Sequence, residues 1–191
     1  MWKYNGRVIR EGKSWTDDNG IQHPSNWNIW SADEKAAAGL TEATPETPPD
    51  SRLYIWSYQA DAVTISKTAK SLTDVGLVDE NGNAVNDDDG NQIMQPGVRS
   101  QLKAEVKSQQ EALLNQTDWA IIRKADKGTA IPSNIQTYRD AIRTKATEME
   151  NAIDGAANTD AVAALFVTYT INEDGSQTKS GILYDWPVLG D

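Results

Sequence analysis

VRSQLKAEVKSQQEALLNQTDWAIIRKADKGTAIPSNIQTYRDAIRTKATEMENAIDG, residues 98–155, carries apolar side chains at a helical period along a polar background. Val98, Leu102, Val106, Leu113 and Leu114 recur at that spacing and predict an amphipathic helix of about four turns. Thr117 or Asp118 is placed to cap a second, short helix carrying Trp119, Ile121, Ile122 and Ala125, which Gly128 and Pro132 end. Ser133 or Asn134 starts a third helix, whose stripe is Ile135, Tyr138, Ile142, Met149, Ala152 and Ile153, with Gly155 as its stop. Two long helices joined by a short one bury both stripes when they close as an antiparallel hairpin.

Outward from this hairpin the chain changes character on both sides. Residues 79–97 are rich in Asp, Asn and Gly, with Asn81-Gly82 and Asp89-Gly90 as turn signals, and read as an acidic loop or long hairpin between two halves. Residues 156–191 read as a short helix, begun by Asn158 or Thr159, and a closing β-hairpin in which Val167–Ile171 and Ile182–Tyr184 flank Asp174-Gly175. Residues 1–78 form a tryptophan-rich β module: Asn5-Gly6 and Asn19-Gly20 suit tight hairpin turns, and Leu53–Tyr58 has strand composition with Val63–Ile65 as partner. Ser31-Ala32-Asp33-Glu34 is a capping box for a helix of one or two turns that Gly39 stops. Residues 41–50, with Pro45, Pro48 and Pro49, form a linker or extended strap. The expected class is therefore α+β: a β-rich N-terminal module, an α-helical hairpin and a short C-terminal β-hairpin.

A chain of 191 residues buries roughly 70% of its unfolded surface, enough for a self-sufficient core. The mean hydropathy of -0.61 leaves a modest apolar supply and favours more than one small core. Acidic residues outnumber basic ones by 28 to 18, so the net charge of -10 repels phosphate backbones and anionic lipids, and nucleic acid is not an expected partner. The absence of cysteine excludes disulfides, thiolate zinc sites and a cysteine nucleophile. The opening residues lack the apolar core of a signal peptide, and the longest apolar run, 161–167, is too short to span a bilayer, so neither export nor membrane insertion is expected.

Three kinds of chemistry are weighed against simpler readings. Asp79, Asn81, Asn83, Asp87, Asp88 and Asp89 cluster hard oxygen ligands, but an EF-hand counted from Asp79 puts Ala84 at the obligatory glycine and Gly90 at the bidentate glutamate; a solvated acidic turn is the better reading, with no metal site. His23 is the single histidine and has no nucleophile motif beside it, no phosphate-cradling glycine loop is present, and no cofactor or catalytic residue is assigned. Five of the seven tryptophans, Trp2, Trp15, Trp27, Trp30 and Trp56, fall in the first 56 residues. They read first as the core of a small module and second, through Trp27 and Trp30, as a platform for a partner or a sugar; a carbohydrate-binding module requires several of these indoles exposed in one plane.

Leu113-Leu114-Asn115-Gln116-Thr117-Asp118-Trp119, followed by Arg123, Asp126, Pro132 and Tyr138-Arg139-Asp140-Ala141-Ile142-Arg143, resembles the pattern of the phage tail assembly chaperone and tail-fibre assembly families over residues 98–153. The N-terminal stretch from Tyr4-Asn5-Gly6 through Trp15 and Asn26-Trp27 to Gly39-Leu40 resembles the opening of small tail-associated proteins of marine and cyanobacterial phages. These resemblances imply a non-enzymatic tail protein, made in the host cytoplasm, located in the virion tail and able to form oligomers there. Its implied partners are tail-fibre or baseplate subunits. The alternatives they leave are an assembly chaperone that departs before the particle is complete and the carbohydrate-binding module. The implied interface is Trp119, Arg123, Tyr138, Arg139 and Arg143, together with Trp27 and Trp30. In that motif Trp119 is expected to pin the short helix against the long ones, and the arginines to pair with Asp118, Asp126 and Asp140 or with a partner's carboxylates. The acidic insertion at 79–97 and the C-terminal hairpin depart from the compact chaperone pattern.

Overall fold

A computed structural model describes residues 1–190, and its chain divides into two compact units, 1–69 and 70–191. With 34% helix and 22% strand, strands first, helices in the middle and strand pairs at the end, the class is α+β.

The first unit begins with β1 (Trp2–Tyr4) and β2 (Arg7–Ile9), joined by Asn5 and Gly6 at φ 45° and 78°, the positive pair that a two-residue type I′ turn requires. Next come β3 (Trp15–Thr16) and β4 (Gln22–His23). Their loop is longer: Asp17 N–H donates to the Ile21 carbonyl and only Gly20 takes a positive φ. A 3₁₀ turn at Trp27–Ile29 leads into α1 (Ala32–Ala37), where the capping box of Ser31 and Glu34 is complete. Gly39, at φ 75°, then reverses the chain into β5 (Leu40–Glu42), which lies antiparallel to β1 and makes the three-stranded order β2-β1-β5. β6 (Tyr54–Tyr58) pairs with β7 (Ile65–Ala69). The paired strand thus starts at Ile65 and continues past the expected 63–65, because Asp61 caps the turn and accepts N–H bonds from Val63 and Thr64. The proline segment is a strap. Glu46 donates its N–H to Val63, accepts the Tyr58 hydroxyl on its carbonyl and accepts Ile65 N–H on its carboxylate. Ile9, Trp15, Trp27 and Leu40 form the buried cluster of this unit, with Trp2, Tyr4, Trp30 and Ala38 packed against it.

The boundary falls at Ala69–Lys70 rather than at the expected 78–79. Residues 71–74 are tied to the start of the long helix: Val98 and Arg99 N–H groups donate to Ser71 and Leu72 carbonyls, and Gly97 N–H to Asp74. β8 (Val75–Gly76) and β9 (Met94–Gln95) form the base of an acidic ribbon. Within it Asp79-Glu80-Asn81-Gly82-Asn83 and Asp87-Asp88-Asp89-Gly90-Asn91 are the same turn built twice: each leading aspartate accepts the N–H groups two and four residues on. Leu77, Val85 and Ile93, eight residues apart, close a ring in which each N–H donates to the carbonyl of the next.

α2 (Val98–Asn115), α3 (Asp118–Lys127) and α4 (Ser133–Gly155) follow. α2 and α4 run antiparallel: Arg99 reaches the Ala156 carbonyl and Lys103 pairs with Asp154 at one end, while Arg139 reaches the Leu114 carbonyl at the other. Val98, Leu102 and Val106 are buried on one helix, and Ile135, Tyr138, Ile142, Ala146, Met149 and Ile153 on the other. Neither Ser133 nor Asn134 caps α4; Pro132 holds that position, and Gly155 is the last helical residue rather than its stop. Asn158 caps α5 (Thr159–Ala163) through its side chain.

The closing hairpin pairs β10 (Thr168–Ile171) with β11 (Gln177–Ser180), not with the expected Ile182–Tyr184. The tight turn Asn172–Ser176 fixes a register that ends before Gly181. Ile182 and Leu183 N–H groups instead donate to the Leu165 carbonyl, and Leu183 is buried. No helix among the described residues is long and apolar enough to cross a membrane.

Candidate protein-docking site

The turn between α2 and α3 is where the sequence motif becomes geometry. The last carbonyls of a helix lack the N–H four residues on, and a cation placed there meets an oxygen with acceptor capacity to spare and the negative end of the helix dipole. Arg139, on α4 and 8% exposed, supplies that cation. One of its terminal nitrogens donates to the Leu114 carbonyl at 2.8 Å, Thr117 Oγ1 at 2.8 Å and Asp118 Oδ1 at 2.7 Å. Thr117 holds the N-cap position of α3 but makes no side-chain cap bond; its hydroxyl donates backward to Leu114, and its oxygen accepts from Arg139. The Thr-Asp pair therefore serves as the acceptor set of an inward arginine. Arg139 is thereby corrected from interface residue to internal lock.

This lock sets the rotation of α3. Ala120 is fully buried, and at 100° per residue its neighbours fall outside the contact. Trp119 is 50% exposed and Ile122 66% exposed, with Ile121 beside them at 38%. The expectation that Trp119 pins the short helix is thus overturned: a methyl-sized residue fits against the hairpin, and the indole stands outside. Arg123, one turn on, lies 4.9 Å over the Trp119 ring, a cation–π contact that steadies the exposed indole. Arg123 Nε is buried without a partner.

The remaining expected residues separate. Tyr138 belongs to the hairpin core and is removed from the interface, because its position on α4 is one of the inward ones. Arg143 is exposed and pairs with Asp140 on its own helix at 2.9 Å, a contact of little energetic weight at a solvated surface. Trp27 is wholly buried, and its Nε1 donates to the Lys13 carbonyl at 3.0 Å, so it cannot face a partner. Trp30 is half-buried beside His23, and Trp15 is buried. A plane of exposed indoles does not form in this unit, because its small core is filled with them.

His23 stacks on Trp15 with centroids 4.1 Å apart, and its Nε2 lies 3.4 Å from Asp17 Oδ2. The Asp17 carboxyl is held below its ordinary value, first by the Ile21 N–H. In the ribbon, the Asp79 carboxyl is likewise lowered, first by the Asn83 N–H, so these oxygens are engaged by their own loops. Among the described residues no group of three or more His, Cys, Asp or Glu side chains is arranged to hold a metal ion.

No family model, curated protein or solved structure matches this chain.

Proposed function

We propose that this chain is a non-enzymatic bacteriophage tail protein that binds tail-fibre or baseplate subunits, in the virion tail, through the outer face of α3. The observation that carries the docking role is the pairing of a rigid base with an exposed apolar face: Arg139 fixes the helix while Trp119 and Ile122 face solvent. Tryptophan and arginine are the residue types that dominate binding energy at protein interfaces, and here Arg123 already orients the indole. The choice of a tail subunit as partner rests on the resemblance of residues 98–153 to the tail assembly families. Co-expression of the full chain with the fibre and baseplate proteins of its phage, followed by affinity capture, tests the binding. Retention of a fibre or baseplate subunit, lost on Trp119→Ser with Ile122→Ser, is expected; capture of none overturns the proposal. Mass spectrometry of purified virions tests its place, and absence from the particle removes the structural role in favour of a departing chaperone.

A further inference from the structure

The first sixteen residues carry Lys3, Arg7, Arg10 and Lys13 against Glu11 alone, in a chain whose net charge is -10. Three of these cations meet in one place. The turn Arg10–Lys13, closed by Lys13 N–H on the Arg10 carbonyl with Gly12 at φ 74°, sets Arg10 and Lys13 at its two ends. Arg7 reaches across from β2 and donates to the Thr16 carbonyl at 2.7 Å, which fixes its guanidinium against β3. Arg7, Arg10, Lys13, Ser14 and Trp15 line a single concavity whose lining contains no carboxylate. Trp15 Nε1 is buried without a hydrogen-bond partner.

We infer that this concavity binds an oxyanion, a phosphate or a carboxylate, free or carried on a saccharide. Guanidinium forks match the two oxygens of either group, the lysine adds a point charge, and the serine hydroxyl adds a neutral donor. Arg7 is held in place by Thr16 before any ligand arrives, so less side-chain freedom is lost on binding. A field of this sign on an otherwise acidic molecule also concentrates anions at this surface, with a strength that salt screens.

The test is an NMR titration of the isotopically labelled full chain with sodium phosphate and, in parallel, with a galacturonate oligosaccharide, at constant ionic strength. Saturable shifts in the amides of residues 11–14 and in the Trp15 indole N–H are expected. Arg10→Gln with Lys13→Gln should raise the apparent Kd about tenfold, the effect of losing charge-assisted hydrogen bonds. Both side chains are exposed and Trp27 bonds only the Lys13 backbone, so the double variant keeps its dispersed spectrum. Tighter saturation by phosphate assigns a free anion; tighter saturation by the oligosaccharide assigns a glycan-borne carboxylate. Absent or unsaturable shifts with both probes, or shifts unchanged in the double variant, overturn the inference.

Discussion

In the N-terminal unit Trp15 and Trp27 lie inside, whereas in the helical unit Trp119 stands half outside a helix whose inward position is an alanine. The difference follows from what else each unit has to bury. The first unit is a set of short hairpins with Ile9 and Leu40 as the aliphatic members of its cluster, so indoles supply the volume. The second buries two long apolar stripes and meets α3 through Ala120, so Trp119, one residue away around the helix, falls on the outer side. Residue type alone is a poor guide to exposure in such a chain; the supply of competing core residues decides it.

The most damaging way to probe this contrast is Trp27→Ala. Removing a wholly buried indole that also donates to Lys13 should cost about 3–5 kcal/mol and unfold the first unit, read by loss of hydrogen-exchange protection in residues 1–69 with 98–155 still protected. Arg139→Leu comes next. It strips the Leu114 carbonyl, Thr117 and the half-exposed Asp118 of one shared donor and should destabilise the helical unit by about 2–3 kcal/mol in denaturant unfolding. Arg139→Lys, lacking the planar guanidinium, should restore less than half of that loss.

A milder effect should come from acid. Asp17, Glu34 and Asp61 in the first unit and Asp74, Asp79 and Asp174 in the second all have lowered pKa values. The chief causes are N–H bonds from Ile21 to Asp17, Ser31 to Glu34 and Asn83 to Asp79, and hydroxyl bonds from Thr64, Ser100 and Ser176 to the others. A carboxyl lowered by folding stabilises fully above its ordinary value, 3.8 for Asp and 4.5 for Glu, and loses that contribution as pH falls through the folded value. Melting temperature should therefore stay level from about pH 7 to about pH 5 and fall below about pH 4 in both units. A decline beginning near pH 6 would contradict the assignment of the acid effect to these carboxyls.

The helical hairpin was legible because two stripes of period near 3.6 survive in a polar background, and Asn5-Gly6 named its turn because no common alternative tolerates two positive φ values. Two features were not, and a third was legible in part. β5 is too short to show alternation, and only its pairing with β1 after the Gly39 reversal makes it a strand. In the acidic run the two turns at Asn81-Gly82 and Asp89-Gly90 were visible singly, but their identity as one unit, Asp-x-(Asn/Asp)-Gly-Asn recurring after eight residues, was not drawn from them. The proposed docking site was half legible. Thr117-Asp118-Trp119 announced a helix start, but the same residues suit a cap or an acceptor set, and only the arrival of Arg139 from α4 chooses between them.

The smallest stability effect belongs to the α3 face, and it is the most informative one. Trp119→Ser with Ile122→Ser removes two exposed side chains and should change unfolding free energy by no more than about 0.5 kcal/mol per site. Affinity for the captured fibre or baseplate subunit, measured by calorimetry on the same preparation, should fall at least about tenfold. Undiminished affinity in this well-folded double variant would contradict α3 as the docking face.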